Sequence, residues 1–273
     1  MALHLISFCL TNESRDALKE ALQPIVDAHS KSTMYVKFTE EEKNLAIASV
    51  KKYFPEGVIE AVQEVRDKGC KSFIVGNLPN IPEECLEIKF RRQLQVDAYG
   101  TYQAVIAAGM YAAVDITIKN NYPLTRNRFA GKLEFPGDRI HRDGVDILAV
   151  AIVRNKEEAI TTLIDMDEVQ KKMKGRLNSL KVAGGDMPLI DSFTRKVAKQ
   201  FKLGDIVGPQ DVIDDFHRLL KEYSEEKIIP AGSMLVFNDR KLMHVVDAGK
   251  PELLSQLTDG QLRLGLSVDG MRR

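Results

Sequence analysis

Several things are scarce in this 273-residue chain, and each scarcity excludes something. There are three cysteines, Cys9, Cys70 and Cys85, odd in number and far apart. They build no disulfide framework and no metal-type spacing, so a reduced, cytoplasmic setting is expected. Net charge is missing as well: 39 Lys and Arg balance 39 Asp and Glu. Such a balance leaves no basic footprint for a phosphate backbone, so nucleic acid is not an expected partner. No apolar run reaches the length of a bilayer span, so no membrane is expected either. The opening MALHLISFCL is apolar but short and lacks a basic flank. It is expected to be a strand rather than a signal peptide. Internal repeats and low-complexity tracts are also absent.

What is present is ordinary for a globular protein: 44% hydrophobic and 29% charged residues. The length suffices for one substantial core, and a single domain over 1–273 is expected, with 1–120 as an N-terminal α/β support. In that support, residues 3–9 and the MYVKF segment within 31–38 read as strands. RDALKEALQPIVDAH repeats Leu18, Leu22 and Val26 at helical spacing, with Thr11, Asn12 and Ser14 available as caps. EEEKNLAIASVKKYF and PEGVIEAVQEVRDKG read as helices, KSFIVGNLP as a strand, and 94–114 as a helix rich in small residues.

The second half reads differently. DGVDILAVAIVRN and AITTLIDM are β-rich runs around a charged turn at 155–158, which suggests a hairpin. Residues 167–226 return to helix, in MDEVQKKMKGRL, LIDSFTRKVAKQF and PQDVIDDFHRLLKEY, and SEEK at 224–227 reads as a solvated helix end. PAGSMLVFND, LMHVVDAG and LRLGLSVDG then supply three short strands. The layout is α+β, with a β core over 121–273 completed from both sides of a helical insertion at about 167–226.

The sharpest chemical feature is IHRDGVD, residues 140–146. His141 and Asp143 are two apart, and on a strand residues i and i+2 share a face. An imidazole and a carboxylate can therefore converge on one metal ion. A second histidine from the same β core would complete a set of two histidines and one carboxylate, which leaves open positions and suits Fe(II). Of the five histidines, His4 lies in the N-terminal strand, His29 at a helix end and His217 in a helical stretch whose solvated face is the plainer reading. His244, between β-like runs, is the best third ligand by context. HRD also occurs in protein kinases, but position 148 is Leu where such a loop needs Asn, and the Gly-rich loop and DFG are missing. Gly184-Gly185 lacks the Lys and Ser/Thr of a phosphate loop.

Taken in order, HRD at 141–143, TT at 161–162, VFNDRKLMH ending at His244 and Arg263 in LRLGLSV resemble the Fe(II)/2-oxoglutarate oxygenases. The closer likeness is to the clavaminate synthase and taurine dioxygenase-like branch, where a long, partly helical insertion separates the first His from the distal one. Bacterial free amino-acid hydroxylases of the same superfamily carry similar strings over a shorter gap. The resemblance is useful over 130–270 and weak over 70–85. It implies a double-stranded β-helix (jelly-roll) core, iron held by His141, Asp143 and His244, and 2-oxoglutarate as co-substrate. It also implies Arg263 on the far carboxylate of 2-oxoglutarate, since a guanidinium grips a carboxylate in a planar, two-pronged way. Thr162, followed by Leu163 as in the family string, is the hydroxyl chosen beside it. The implied reaction is oxidative decarboxylation to succinate and CO2 with hydroxylation of a small polar substrate, such as an amino acid. Two other classes stay open: a β-helix protein that binds metal or ligand without turnover, as a sensor or scaffold, and a zinc hydrolase using the same triad.

Overall fold

A computed structural model describes residues 5–29, 38–67, 72–80, 87–89, 93–95, 102–116, 124–128, 139–142, 147–155, 160–184, 187–190, 197–198, 200–246 and 261–268. The chain opens with strand β1 (Leu5–Cys9) and helix α1 (Asn12–His29). The Thr11 hydroxyl accepts the Ser14 backbone N–H at 3.0 Å and so caps α1. Helix α2 (Glu40–Tyr53) begins behind Thr39, whose hydroxyl accepts the Glu42 N–H while the Glu42 carboxylate accepts the Thr39 N–H. That reciprocal box satisfies donors that a helix start otherwise leaves without partners. Next come α3 (Val58–Asp67), β2 (Ser72–Gly76), the pair β3 (Glu87–Lys89) and β4 (Gln93–Gln95), α4 (Tyr102–Ala112) and β5 (Leu124–Arg128).

The second half contains β6 (Arg139–His141), β7 (Ile147–Asn155), β8 (Ile160–Asp165) and α5 (Met166–Met173). Four short strands follow: β9 (Lys181–Val182), β10 (Met187–Pro188), β11 (Gln200–Lys202) and β12 (Ile206–Val207). The chain then forms α6 (Gln210–Glu222), β13 (Ser224–Ile228), β14 (Ser233–Asn238), β15 (Leu242–Val246) and β16 (Gln261–Val268). No described helix is long and apolar enough to cross a membrane.

Two sheets dominate. The larger has the order β1-β2-β14-β7-β16-β5 and the smaller β11-β6-β15-β8-β13. Pairing is antiparallel throughout except between β1 and β2. The period-2 alternation of each strand sorts its side chains into layers. Ile74, Leu148, Val150, Ile152, Leu235 and Phe237 of the larger sheet meet Leu163 and Leu242 of the smaller one, so the two sheets stack face to face. The opposite face of the larger sheet, with Phe73, Val75, Ala149, Ala151, Met234 and Val236, packs on α1 to α4. The opposite face of the smaller sheet, with Ile140, Ile164, Met243 and Val245, packs on α5 and α6. The result is four layers: helices, sheet, sheet, helices.

The α+β class and the order of elements match the sequence expectation, with four local corrections. β7 and β8 form no hairpin: β7 pairs with β14 and β16, and β8 with β13 and β15, in different sheets. The charged link between them carries the chain from one sheet to the other. Of the segment 189–201, expected as a helix, residues 191–196 and 199 lie outside the described residues. Ile190 bridges Val197, and Gln200 and Phe201 belong to β11, which pairs with β6. SEEK forms most of β13, an edge strand on β8 whose charges suit an exposed edge. Of the helix expected over 94–114, Tyr102–Ala112 forms α4, while Gln93–Gln95 pair with β3. The MYVKF segment lies outside the described residues apart from Phe38.

At Gly109 α4 packs tightly against the backbone of α2. A Cβ there would lie 2.8 Å from the Ala46 carbonyl oxygen and 3.0 Å from its carbon. Gly109→Ala gains helix propensity at an ordinary site, but here backbone must move. It is expected to lower unfolding free energy by about 1–3 kcal/mol in urea denaturation; equal or greater stability would contradict this packing.

Candidate metal centre

β6 and β15 lie side by side in the smaller sheet, and their register sets His141 directly opposite His244. On β6, Ile140 faces α5 and α6; on β15, so do Met243 and Val245. Alternation turns His141 and His244 to the other face, towards the larger sheet, together with Leu242 and Leu163. The two imidazoles stand 4.0 Å apart between ring centroids, tilted by 51°. His244 is 6% exposed, and the Phe237 ring from the larger sheet meets it edge-on at 5.5 Å. His141 is half-buried.

This arrangement fits a metal. Two borderline nitrogen donors from adjacent strands converge on one small volume, walled by Phe237, Leu242 and Leu163, as a two-histidine site requires. Asp143, expected as the carboxylate ligand, lies outside the described residues, two positions beyond His141. Among the described residues no group of three His, Cys, Asp or Glu gathers to hold a metal.

Arg263 is placed by its backbone in β16, opposite Ile152 of β7 and Arg126 of β5, at an irregularity in the β7 ladder between Leu262 and Arg263. Thr161 and Thr162 are both buried in β8. Leu163 packs between the sheets and Ile164 against the helices. Thr162 therefore shares the helix-facing side with Ile164, and Thr161 shares the inner side with Leu163 and the two histidines. The hydroxyl on the site's own face is that of Thr161, not the Thr162 chosen from sequence, because the strand's phase decides.

The remaining histidines lie elsewhere. The His29 Nε2 is 2.8 Å from Glu42 Oε1, with its ring edge-on to Phe38, a contact that ties α1 to the start of α2. His217 on α6 is half-buried rather than solvated, and burial pushes its pKa down, against the raising influence of Asp214. His4 lies outside the described residues.

Two residues of the site were not singled out from sequence. Arg142 follows His141 and turns its guanidinium inward: Nη1 donates to the Arg240 carbonyl at 2.8 Å and Nη2 to the Val197 carbonyl at 2.9 Å. Burial lowers its pKa, while Asp239 and Asp167 raise it. Asp239, in the turn between β14 and β15, is 0% exposed and places Oδ1 4.0 Å from His244 Nδ1. Both lie within strings that the sequence highlights, HRD and VFNDRKLMH, but nothing in a string tells a buried turn carboxylate from a solvated one.

No family model and no curated protein matches the chain. Among solved structures it is similar to the non-heme iron oxygenase OrfP. Against OrfP in complex with Fe and alpha-ketoglutaric acid the TM-score is 0.60 at 13% identity, over 97% of this chain and 94% of that one. Against the complex with Fe the TM-score is 0.59 at 13% identity, over 96% and 93%. Against the complex with Fe and L-Arg it is 0.54 at 13% identity, over 97% and 94%. At that identity the likeness is one of fold, and it extends over nearly the whole of both chains.

Proposed function

We propose that the protein is an Fe(II)- and 2-oxoglutarate-dependent oxygenase, one domain over 1–273 built on a double-stranded β-helix, that hydroxylates a small polar substrate such as an amino acid or derivative. The observation that carries this reading is the facing of His141 and His244 across β6 and β15, on the inner face of a two-sheet core. The fold supports it, since OrfP shares that architecture and has been crystallised with Fe and with alpha-ketoglutaric acid. The OrfP complexes with L-Arg support an amino acid as the substrate class.

In this reading His141, Asp143 and His244 hold the iron and leave open positions for the co-substrate and oxygen. Iron, when bound, supplies the oxygen chemistry that couples decarboxylation of 2-oxoglutarate to succinate and CO2 with hydroxylation of the substrate. The protein's own part is placement and exclusion of water. The Arg263 guanidinium grips the distal carboxylate of 2-oxoglutarate, and the Thr161 hydroxyl donates to it from the inner face of β8. Phe237, Leu242 and Leu163 keep the site dry on one side, which strengthens each charge contact within it.

His141→Ala and His244→Ala are each expected to abolish one-to-one Fe(II) binding in anaerobic equilibrium dialysis, and succinate release with it. Retained binding in either variant would remove that residue from the metal set. Metal binding by the wild type with no succinate release, coupled or uncoupled, over a broad amino-acid panel would make the protein a binder rather than an oxygenase. Arg263→Lys keeps the charge but not the fork. It is expected to raise the KM for 2-oxoglutarate at least about tenfold with a smaller change in kcat; an unchanged KM would remove Arg263 as the anchor.

A further inference from the structure

Asn238 closes the turn between β14 and β15. The Asn238 Oδ1 accepts the N–H groups of Arg240 and Lys241 at 3.1 and 3.2 Å, and its Nδ2 donates to the Val65 carbonyl at 3.2 Å. Beside it, the Asp239 carboxylate is wholly buried. Turn carboxylates ordinarily face water, and burying one is unfavourable unless a cation or donor compensates it. Among the groups around Asp239 are two from the candidate site. One is the His244 imidazole, with Nδ1 4.0 Å from Oδ1. The other is the Arg142 guanidinium, whose cation is favoured by the Asp239 charge.

From this geometry, and resting on the metal centre proposed above, we propose that Asp239 is a positioning residue for His244. Its carboxylate draws the imidazole proton onto Nδ1 and sets the ring's rotation, so that the Nε2 lone pair is presented to the metal. A separation of 4.0 Å lies within ion-pair range and is about 1 Å longer than a hydrogen bond, a gap that a modest side-chain rotation closes. Metal-bound histidines commonly depend on such a partner for tautomer and orientation. Arg142 completes the device. It follows His141 directly and donates to the carbonyl of Arg240, the residue after Asp239. One guanidinium thus ties the strand bearing one histidine to the turn that leads into the other.

The test uses the full chain stripped of metal by chelation. The 15N shifts of the His244 ring report which nitrogen carries the proton, and Co(II) titration followed by visible absorption reports affinity; wild type, H244A, D239L and D239N are compared. The wild type is expected to carry the proton on Nδ1. D239L, similar in shape and without an acceptor, is expected to move it towards Nε2 and to weaken Co(II) binding about 10- to 100-fold. D239N keeps an acceptor oxygen without the charge, and is expected to keep the Nδ1 tautomer while losing less affinity than D239L. If D239L does not fold, D239N decides: weakened Co(II) binding supports the role, and wild-type binding overturns it. A wild type that binds no Co(II) overturns the metal centre itself. A wild type that binds, with H244A failing to bind and D239L matching the wild type, overturns only the role of Asp239.

Discussion

Everything at the candidate site depends on the register between β6 and β15. Antiparallel strands place residues in opposite pairs, and here one pair is His141 and His244. A slip of one residue in β15 would turn His244 to the helices and bring Met243 and Val245 into the space between the sheets, and a slip in β6 would do the same with His141 and Ile140. The apolar residues prevent that slip. A slip would take these side chains out of their packing on α5 and α6 and press an imidazole against those apolar helix faces, which costs free energy unless the ring finds a hydrogen-bond partner. Ile140, Met243 and Val245, with Ile164 beside them, are all fully buried against α5 and α6. The histidines supply no comparable stabilisation, because a buried imidazole must recover the hydration it gives up. The oily outer face of the small sheet thus fixes the register, and its inner face inherits the facing of His141 and His244.

That small sheet can hold polar groups inside because it is sandwiched. α5 and α6 cover its outer face, and the larger sheet, itself backed by α1 to α4, covers the inner one. The part of the chain that reads as an insertion therefore serves the site from behind. It provides the apolar partner for Ile140, Ile164, Met243 and Val245, and through β11 it lengthens the sheet beside β6. Arg142 adds a further tie, since its two donated bonds reach the stretch just before β11 and the β14–β15 turn at once.

Much of this was legible in the sequence, and the gaps have physical causes. His141 stood out through its spacing from Asp143, and His244 through its β context. The strands at 72–76, 147–155, 160–165, 233–238 and 242–246 stood out because apolar, β-branched runs are hard to read otherwise. The pairing of β7 and β8 was not legible: a short polar link suits a hairpin and a crossing between sheets equally well, and only long-range partners choose. The choice between Thr161 and Thr162 hung on strand phase, which the flanking residues Leu163 and Ile164 cannot reveal because both are apolar. Gln200 and Phe201 carry no period of their own, so their pairing with β6 is decided by the fold. Asp239 and Arg142 stayed hidden because burial of a charged turn residue is a tertiary fact.

The strand arrangement and the donor chemistry support the reading proposed above, an iron-dependent oxygenase whose two histidines are set by strand pairing. The most direct test is anomalous diffraction at the iron absorption edge from crystals soaked anaerobically with Fe(II). The account predicts one strong peak between the His141 and His244 rings, within bonding distance of a nitrogen of each. A peak elsewhere, or none at saturating Fe(II), would contradict it.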